Sequence, residues 1–327
     1  MQAITQDTYG STNVLMLREV ERPAPGEGEV LVRVHAAGVD RGVWHLMTGV
    51  PYMMRVVGFG LRAPKQRIRG MDVAGTVLAV GAAVRRFKPG DAVYGTCDGS
   101  FAEYVCTREE RLAPMPGNLS FEQAAAVPVS AVTALRGLRD AGELKSGQKV
   151  LIIGAAGGVG SFAVQIARAL GAEVTGVCST SKVELVRSLG AAAVVDYTRE
   201  DFAQRRGYYD LILDIAGNRP LAHLRRALAA SGTLVLAGGE DGGRVFGGMG
   251  RTLWASLLSL FVRQKLRGLL AIPRREDLEA LTTMIEAGSV VPVIERTYAL
   301  AEAPAAIQRV SEGQARGKLV VSLGVAG

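Results

Sequence analysis

The stretch AAGVDRGVWH, residues 36–45, sets Asp40 and His45 five positions apart in a Gly-containing loop. It follows a run of alternating apolar residues, EVLVRVHAAG, that carries a second histidine, His35. A carboxylate and an imidazole at this spacing suit two chemistries: two ligands of a metal ion, or a general acid–base pair. The plain alternative is a polar loop. Tyr52, in the following TGVPYMMR, adds a phenol that either donates a proton or packs.

A second group of residues is more specific. In KVLIIGAAGGVGSFAVQIARALGAEVTGVC (149–178), an apolar run leads into a glycine turn and then an amphipathic segment. A dinucleotide fingerprint needs glycine where backbone approaches the pyrophosphate and where helix and strand pack closely. Gly157 and Gly160 meet those needs, Ala155 replaces the first fingerprint glycine, and Gly154 precedes it. The turn Gly154, Ala156, Gly157, Gly158 and Val159 would therefore carry the diphosphate on the N–H groups that open the helix. A glycine turn that binds nothing is the alternative, but the strand–turn–helix–strand context argues against it.

The end of the next strand chooses the cofactor. NAD-specific sites place Asp or Glu there, on the ribose hydroxyl. Here the end reads GVCSTSK, with no acid. Ser179, Thr180 and Lys182 offer hydroxyls and a cation to a 2′-phosphate, so NADPH is the expected cofactor, against a solvated turn as the plain reading.

The elements that must position these groups fall into two patterns. Residues 1 to about 115 show short β-type runs broken by PAPGEGE, KPGD and CDGS, which predicts a barrel-like β domain. From 149 onward, apolar runs alternate with amphipathic segments, which predicts a doubly wound parallel sheet. The tail, PVIERTYAL and GKLVVSLG, returns to β and implies re-entry into the first domain.

Composition narrows the class. The 327 residues are 48% hydrophobic and 21% charged, as in a folded globular protein, with room for two domains. The net charge of +7 comes from scattered basic residues, which gives no reason to expect nucleic acid as a partner. Three dispersed cysteines exclude a disulfide framework or a four-Cys zinc lobe. The N-terminus has no secretory pattern, and the longest apolar run, WASLLSLFV (254–262), is too short to span a bilayer. A cytoplasmic protein is expected.

Eight landmarks run in one order along nearly the whole chain: AAGVD (36–40), RGMDVAGTV (69–77), GSFAEY (99–104), AAAVPVSAVTAL (124–135), GAAGGVG (154–160), VVDY (194–197), GTLVLAGG (232–239) and RGKLVV (316–321). They resemble the medium-chain dehydrogenase/reductase superfamily, in its zinc-independent quinone oxidoreductase-like branch. The resemblance implies an α/β chain: a GroES-like β-barrel catalytic domain (1–122 and 288–327) around a Rossmann NADP(H)-binding domain (123–287). It also implies a homodimer and an active site where the domains meet. It places Gly157, Gly158 and Val159 on the diphosphate, Ser179 and Lys182 on the 2′-phosphate, and Tyr197 near the adenosine. Thr133 falls by the nicotinamide carboxamide, and Ala237 and Gly238 beside the nicotinamide ring. Tyr197 as half-buried packing and Gly238 as a strand end are the plain alternatives.

Zinc-dependent relatives take ligands from three positions that read Asp40, Met71 and about Val129 here. A carboxylate, a thioether and a valine do not make a zinc site, so no metal is expected. Relatives of this branch often carry Asn at the position of Asp40, and zinc relatives place a relay histidine at that of His45. Asp40, His45 and Tyr52 are thus the catalytic candidates, and a loop histidine without a role remains the alternative for His45. The expected activity is NADPH-dependent reduction of a quinone or an α,β-unsaturated carbonyl. A carbonyl reductase or alcohol dehydrogenase is the second reading, and an NADPH-binding crystallin-like or RNA-binding protein the third. Phe246, Trp254 and Phe261 in the long segment 242–272 would line an apolar pocket or pack in the core.

Overall fold

The computed structural model describes residues 1–239 and 243–324. The chain divides into two compact units, one of residues 1–132, 273–288 and 292 onward, the other of 133–272 with 289–291.

The first unit opens with an antiparallel ribbon of β1 (Gln2–Thr5) and β2 (Met16–Glu19), then the long strand β3 (Glu29–Val39). Val30, Val32 and Val34 of β3 enter the core at the two-residue period of a strand. Next come α1 (Arg41–Thr48), β4 (Asp72–Val80), β5 (Ala92–Thr96), β6 (Tyr104–Arg108) and β7 (Leu112–Pro114). Ser120 and Gln123 close a reciprocal cap on the short α2 (Phe121–Ala125). The helix α3 (Pro128–Arg136) follows.

The second unit alternates strand and helix: β8 (Lys149–Ile153), α4 (Gly158–Ala169), β9 (Glu173–Cys178), α5 (Val183–Ser188), β10 (Ala193–Asp196), β11 (Tyr209–Asp214), α6 (Leu221–Ala227), β12 (Leu228–Leu236), α7 (Met249–Ser259) and β13 (Lys265–Gly268). Every pairing is parallel, in the order β10-β9-β8-β11-β12-β13. Strands covered on both faces must be apolar throughout, and Val150–Ile153 of β8 are all buried. The strand order reverses between β8 and β11, which opens a crevice beyond their carboxyl ends.

The chain then returns to its first unit with α8 (Arg275–Glu286), β14 (Ile294–Ala299), α9 (Ala303–Ser311) and β15 (Lys318–Ser322). A seven-stranded sheet runs β14-β15-β3-β4-β5-β7, and β6 also pairs with β3. Leu319 of β15 lies opposite Val39 of β3, and Ser322 opposite Ala36. Residues 123–132 and 273–287, expected with the nucleotide-binding half, group with the first unit instead. Tyr94 of β5 holds α8 there, its hydroxyl donating to Leu278 O at 2.7 Å. A barrel-type sheet and a doubly wound parallel sheet are the two architectures that the sequence patterns predict.

Candidate functional site

The glycine turn sits at the carboxyl end of β8. Gly154 has φ 88°, and its N–H and that of Ala155 donate to Val177 O of β9. Only glycine holds that backbone without strain. A Cβ at Gly160 would stand 2.1 Å from Gly154 O, so this glycine lets α4 approach the turn. Gly157 differs: a Cβ there would meet only Gly154 O, at 3.5 Å. No side chain caps the start of α4, and no acid lies in its first turn. The N–H groups at 158–160 therefore have no partner within the helix, at the positive end of a 12-residue helix where negative charge is favoured.

At the end of β9, Ser179, Thr180 and Lys182 share one short turn. The sequence contains no acid at this strand end, but the neighbouring strand supplies one. β10 pairs with β9 so that Asp196 stands opposite Cys178. Thr180 donates its hydroxyl to Asp196 Oδ2 at 2.5 Å, Thr198 donates to Oδ1 at 2.7 Å, and Arg199 lies 3.6 Å away. The hydrogen bonds from Thr180 and then Thr198 hold Asp196 below the usual carboxylate range. Thr180 is therefore engaged by a carboxylate rather than open to a phosphate. The parallel register could have revealed Asp196, because equivalent positions of adjacent strands end side by side. Tyr197 is half exposed, with the Arg219 guanidinium 5.9 Å over its ring.

At the switch point, Ala237 and Gly238 both donate their N–H groups to Asp214 O. A Cβ on Gly238 would fall 1.9 Å from Ile215 O, so the two strand ends touch through glycine. The Asp214 side chain is fully buried, accepts from Gly217 N and takes an ion pair from Arg251 at 2.6 Å. Arg251 also lines a cavity of about 430 Å³ with Gly217, Arg219, Gly239 and Trp254. Thr133 lies partly buried on α3.

In the first unit, residues 41–48 form a helix where the sequence suggests a loop. Asp40 caps α1 by accepting from Gly42 N at 2.7 Å, and Gly49, at φ 63°, ends it. Val43 and Met47, four apart, bury its inner face. Arg41 secures α1 to α9 by donating to Val310 O and Ser311 O. His45 is thus a helical residue in the last turn, not a loop residue. Its Nδ1 lies 2.7 Å from Val50 O, which fixes Nδ1 as the protonated nitrogen because a carbonyl can only accept. Asp40 Oδ2 is buried and has no hydrogen-bond partner among the described residues. Tyr52 is 39% exposed and stacks under Arg55, 4.7 Å from the ring centroid. His35 is structural: Nε2 meets Thr76 Oγ1 at 3.0 Å, the ring packs on Phe121, and burial lowers its pKa.

Sequence reasoning missed a buried ion pair beside these groups. Lys318 Nζ lies 3.3 Å from Asp72 Oδ2 and 3.0 Å from Ser130 Oγ, with 1% of the Lys318 side chain and none of the Asp72 side chain exposed. Asp72 Oδ1 accepts from Val129 N at 2.9 Å. Burial pushes Asp72 upward, Lys318 pulls it back down, and the Asp40 charge pushes it up again. The signal was an acid opening DVAGTV and a lysine opening KLVVS, both inside apolar strands where an unpaired charge is costly. Among the described residues, no three of His, Cys, Asp and Glu are grouped to hold a metal ion. Of the residues at the zinc-ligand positions, Asp40 caps a helix, Met71 offers only a thioether, and Val129 gives its N–H to Asp72. This donor set does not fit zinc.

The chain matches two family descriptions, an alcohol dehydrogenase GroES-like domain over residues 26–117 and a zinc-binding dehydrogenase over residues 189–321. It is 34% identical over 360 aligned positions to the mitochondrial NAD(P)H oxidoreductase RTN4IP1 of Danio rerio, covering 99% of this chain and 91% of that protein. Against the chloroplast envelope quinone oxidoreductase homolog of Arabidopsis thaliana the identity is 30%, covering 98% of each. The solved quinone oxidoreductase of Coxiella burnetii superimposes with a TM-score of 0.87 at 28% identity over 99% of both chains. With the glycine turn, the doubly wound sheet and the barrel-type unit, these likenesses settle the relationship: the chain belongs to the quinone oxidoreductase-like branch of the medium-chain dehydrogenase/reductase superfamily, a group of nicotinamide-dependent oxidoreductases.

Proposed function

We propose that this protein is a zinc-independent, NADPH-dependent reductase of quinones or α,β-unsaturated carbonyls. The uncapped start of α4 behind the Gly154–Gly160 turn, at the switch point of the parallel sheet, supports this reading most. When bound, the nicotinamide supplies a hydride to an electron-poor carbon. The chain's own groups bind, orient and exchange protons. Charge that develops on the acceptor oxygen needs nearby hydrogen-bond donors, and a proton must follow. Asp40 Oδ2 orients a polar group of the bound pair. His45, held by its Nδ1–H on Val50 O, is the imidazole candidate for proton exchange. Tyr52 offers its hydroxyl as donor. Without a metal to polarise an isolated carbonyl, conjugated acceptors are the easier substrates.

Purified protein mixed with NADPH and a panel of quinones and enones tests this directly. Absorbance at the nicotinamide band should fall with at least one acceptor, at a rate that chelators change by less than twofold. No loss with any acceptor sinks the reductase reading. Activity abolished by a chelator and restored by zinc overturns the zinc-free one.

The NADPH preference rests on Ser179 and Lys182. Asp196 does not oppose it, since Thr180, Thr198 and Arg199 already surround that carboxylate. NADPH should bind at least tenfold tighter than NADH in fluorescence titration, and Lys182→Ala should shrink the gap severalfold. Equal affinities in the parent protein would refute the assignment.

The homodimer belongs to the same reading. Phe246, Trp254 and Phe261 are 53%, 61% and 84% exposed, so none is a core residue. Of α7 only Ala255 is buried, whereas Leu253, Trp254 and Leu257 lie on the surface. So much exposed apolar surface on one element marks an association face. Light scattering should give twice the monomer mass, and Trp254→Lys with Phe261→Lys should shift it to one; a monomeric parent protein would exclude the dimer.

A further inference from the structure

Arg69 is 3% exposed, yet its Nε and Nη2 have no hydrogen-bond partner among the described residues. Its backbone is pinned on both sides, the N–H donating to Ile4 O and the carbonyl accepting from Phe101 N. Gly70, at φ 100°, follows it, where a Cβ would stand 2.3 Å from Ser100 Oγ. The backbone of Arg69 is thus fixed, while its side chain has no carboxylate partner among the described residues. Burial pulls Arg69 down to about 10, with the Tyr9 phenol as the opposing influence. Removing a cation from water without a partner costs several kcal/mol, so a fold that tolerates it keeps a place for an anion.

A cavity of about 230 Å³ in the first unit is lined by Arg69 together with Leu46, Phe59, Lys65, Ile68 and Met71. That is several times the ~30 Å³ that a water molecule takes up in the liquid. Lys65 adds a second cation. Asp98, the acid on this cavity, is already paired with Arg111 at 2.8 Å. Cationic groups are therefore in excess, and the remaining wall is apolar. Met71 links the cavity to the candidate catalytic helix, since its Sδ lies 3.2 Å from where a Gly42 Cβ would stand, beside the Asp40 cap.

We propose that this cavity is a carboxylate subsite, and that the acceptor is an acidic one: an activated alkene or quinone carrying a carboxylate. The guanidinium offers parallel N–H donors that match a carboxylate in a bidentate pair. The apolar wall takes the carbon skeleton to which the acid is attached. The anion subsite stands on Arg69 and its cavity; that its ligand is also the hydride acceptor rests on the function proposed above.

Two measurements separate these. In calorimetry with the intact protein, benzoate should bind at least tenfold tighter than benzamide, and Arg69→Gln should bring that ratio near one while Arg69→Lys keeps part of it. In turnover with NADPH, trans-3-benzoylacrylate should have a KM at least tenfold below that of its methyl ester, and Arg69→Gln should raise it towards that of the ester. Equal binding of benzoate and benzamide overturns the subsite, and this comparison needs no variant to fold. Benzoate preference without turnover of either enone supports the subsite and overturns the assignment of its ligand as the hydride acceptor, whereas the reductase reading itself falls only if no acceptor of the quinone and enone panel is reduced.

Discussion

A Gly157→Val chain should fold with a melting temperature within a few degrees of the parent and lose NADPH affinity by at least a hundredfold. The expectation rests on where the new side chain goes. At φ −83° the backbone suits any residue, and a Cβ meets only Gly154 O at 3.5 Å, so the fold has no reason to object. The valine methyls must then occupy space in front of the N–H groups at 158–160, where the diphosphate is proposed to sit. A hundredfold loss corresponds to about 2.7 kcal/mol. Gly160→Val is the contrasting case, because its Cβ would fall 2.1 Å from Gly154 O and the helix could no longer close on the turn. Circular dichroism melts and NADPH fluorescence titrations distinguish the two. Normal binding by folded Gly157→Val would falsify the placement of the cofactor.

Lys318→Met should cost about 3–5 kcal/mol of stability, the usual penalty for leaving one member of a buried ion pair uncompensated. Asp72 would keep only the Val129 N–H as a partner. The loss should depend on pH. Burial already pushes Asp72 up, and removing Lys318 takes away the influence that opposes this. The folded variant then holds a proton that the unfolded chain has released, in the window above the ordinary carboxylate value. Stability falls as pH rises wherever the folded state binds more protons. The deficit should therefore be small near pH 4 and full above neutrality. The double variant Asp72→Asn/Lys318→Met should recover much of it, because no buried charge is left. Urea melts at several pH values read all three effects, and a single variant as stable as the parent at pH 8 would show the pair to be inessential.

What the sequence revealed of these features follows from how far apart their parts lie. The parallel sheet is written locally: each apolar run and each glycine turn carries its own signal within some ten residues. The helix α1 was hidden because Gly42, Val43 and Trp44 are poor helix formers. Its capping residues, Asp40 and Gly49, were the legible part. The Asp72–Lys318 pair joins positions 246 residues apart, so only the register of β15 on β3 and of β3 on β4 brings them together. Asp196 beside Thr180 is likewise a product of register rather than of composition. Arg69 is harder still, since one arginine in a basic stretch gives no sign that its charge will be buried.

The pairing of β15 with β3 has a consequence for biosynthesis. Val39 leaves the ribosome 279 residues ahead of Lys318, the difference between their positions, yet β3 is incomplete without the strand that Lys318 begins. At 5–20 residues per second, tens of seconds separate the two. The second unit is nearly continuous, from 133 to 272, and can assemble during that interval. The nascent chain must meanwhile shelter an unpaired β3 edge and an Asp72 without its lysine. The order of synthesis thus favours completing the nucleotide-type sheet before the barrel closes, and makes the late strand the step that seals the fold.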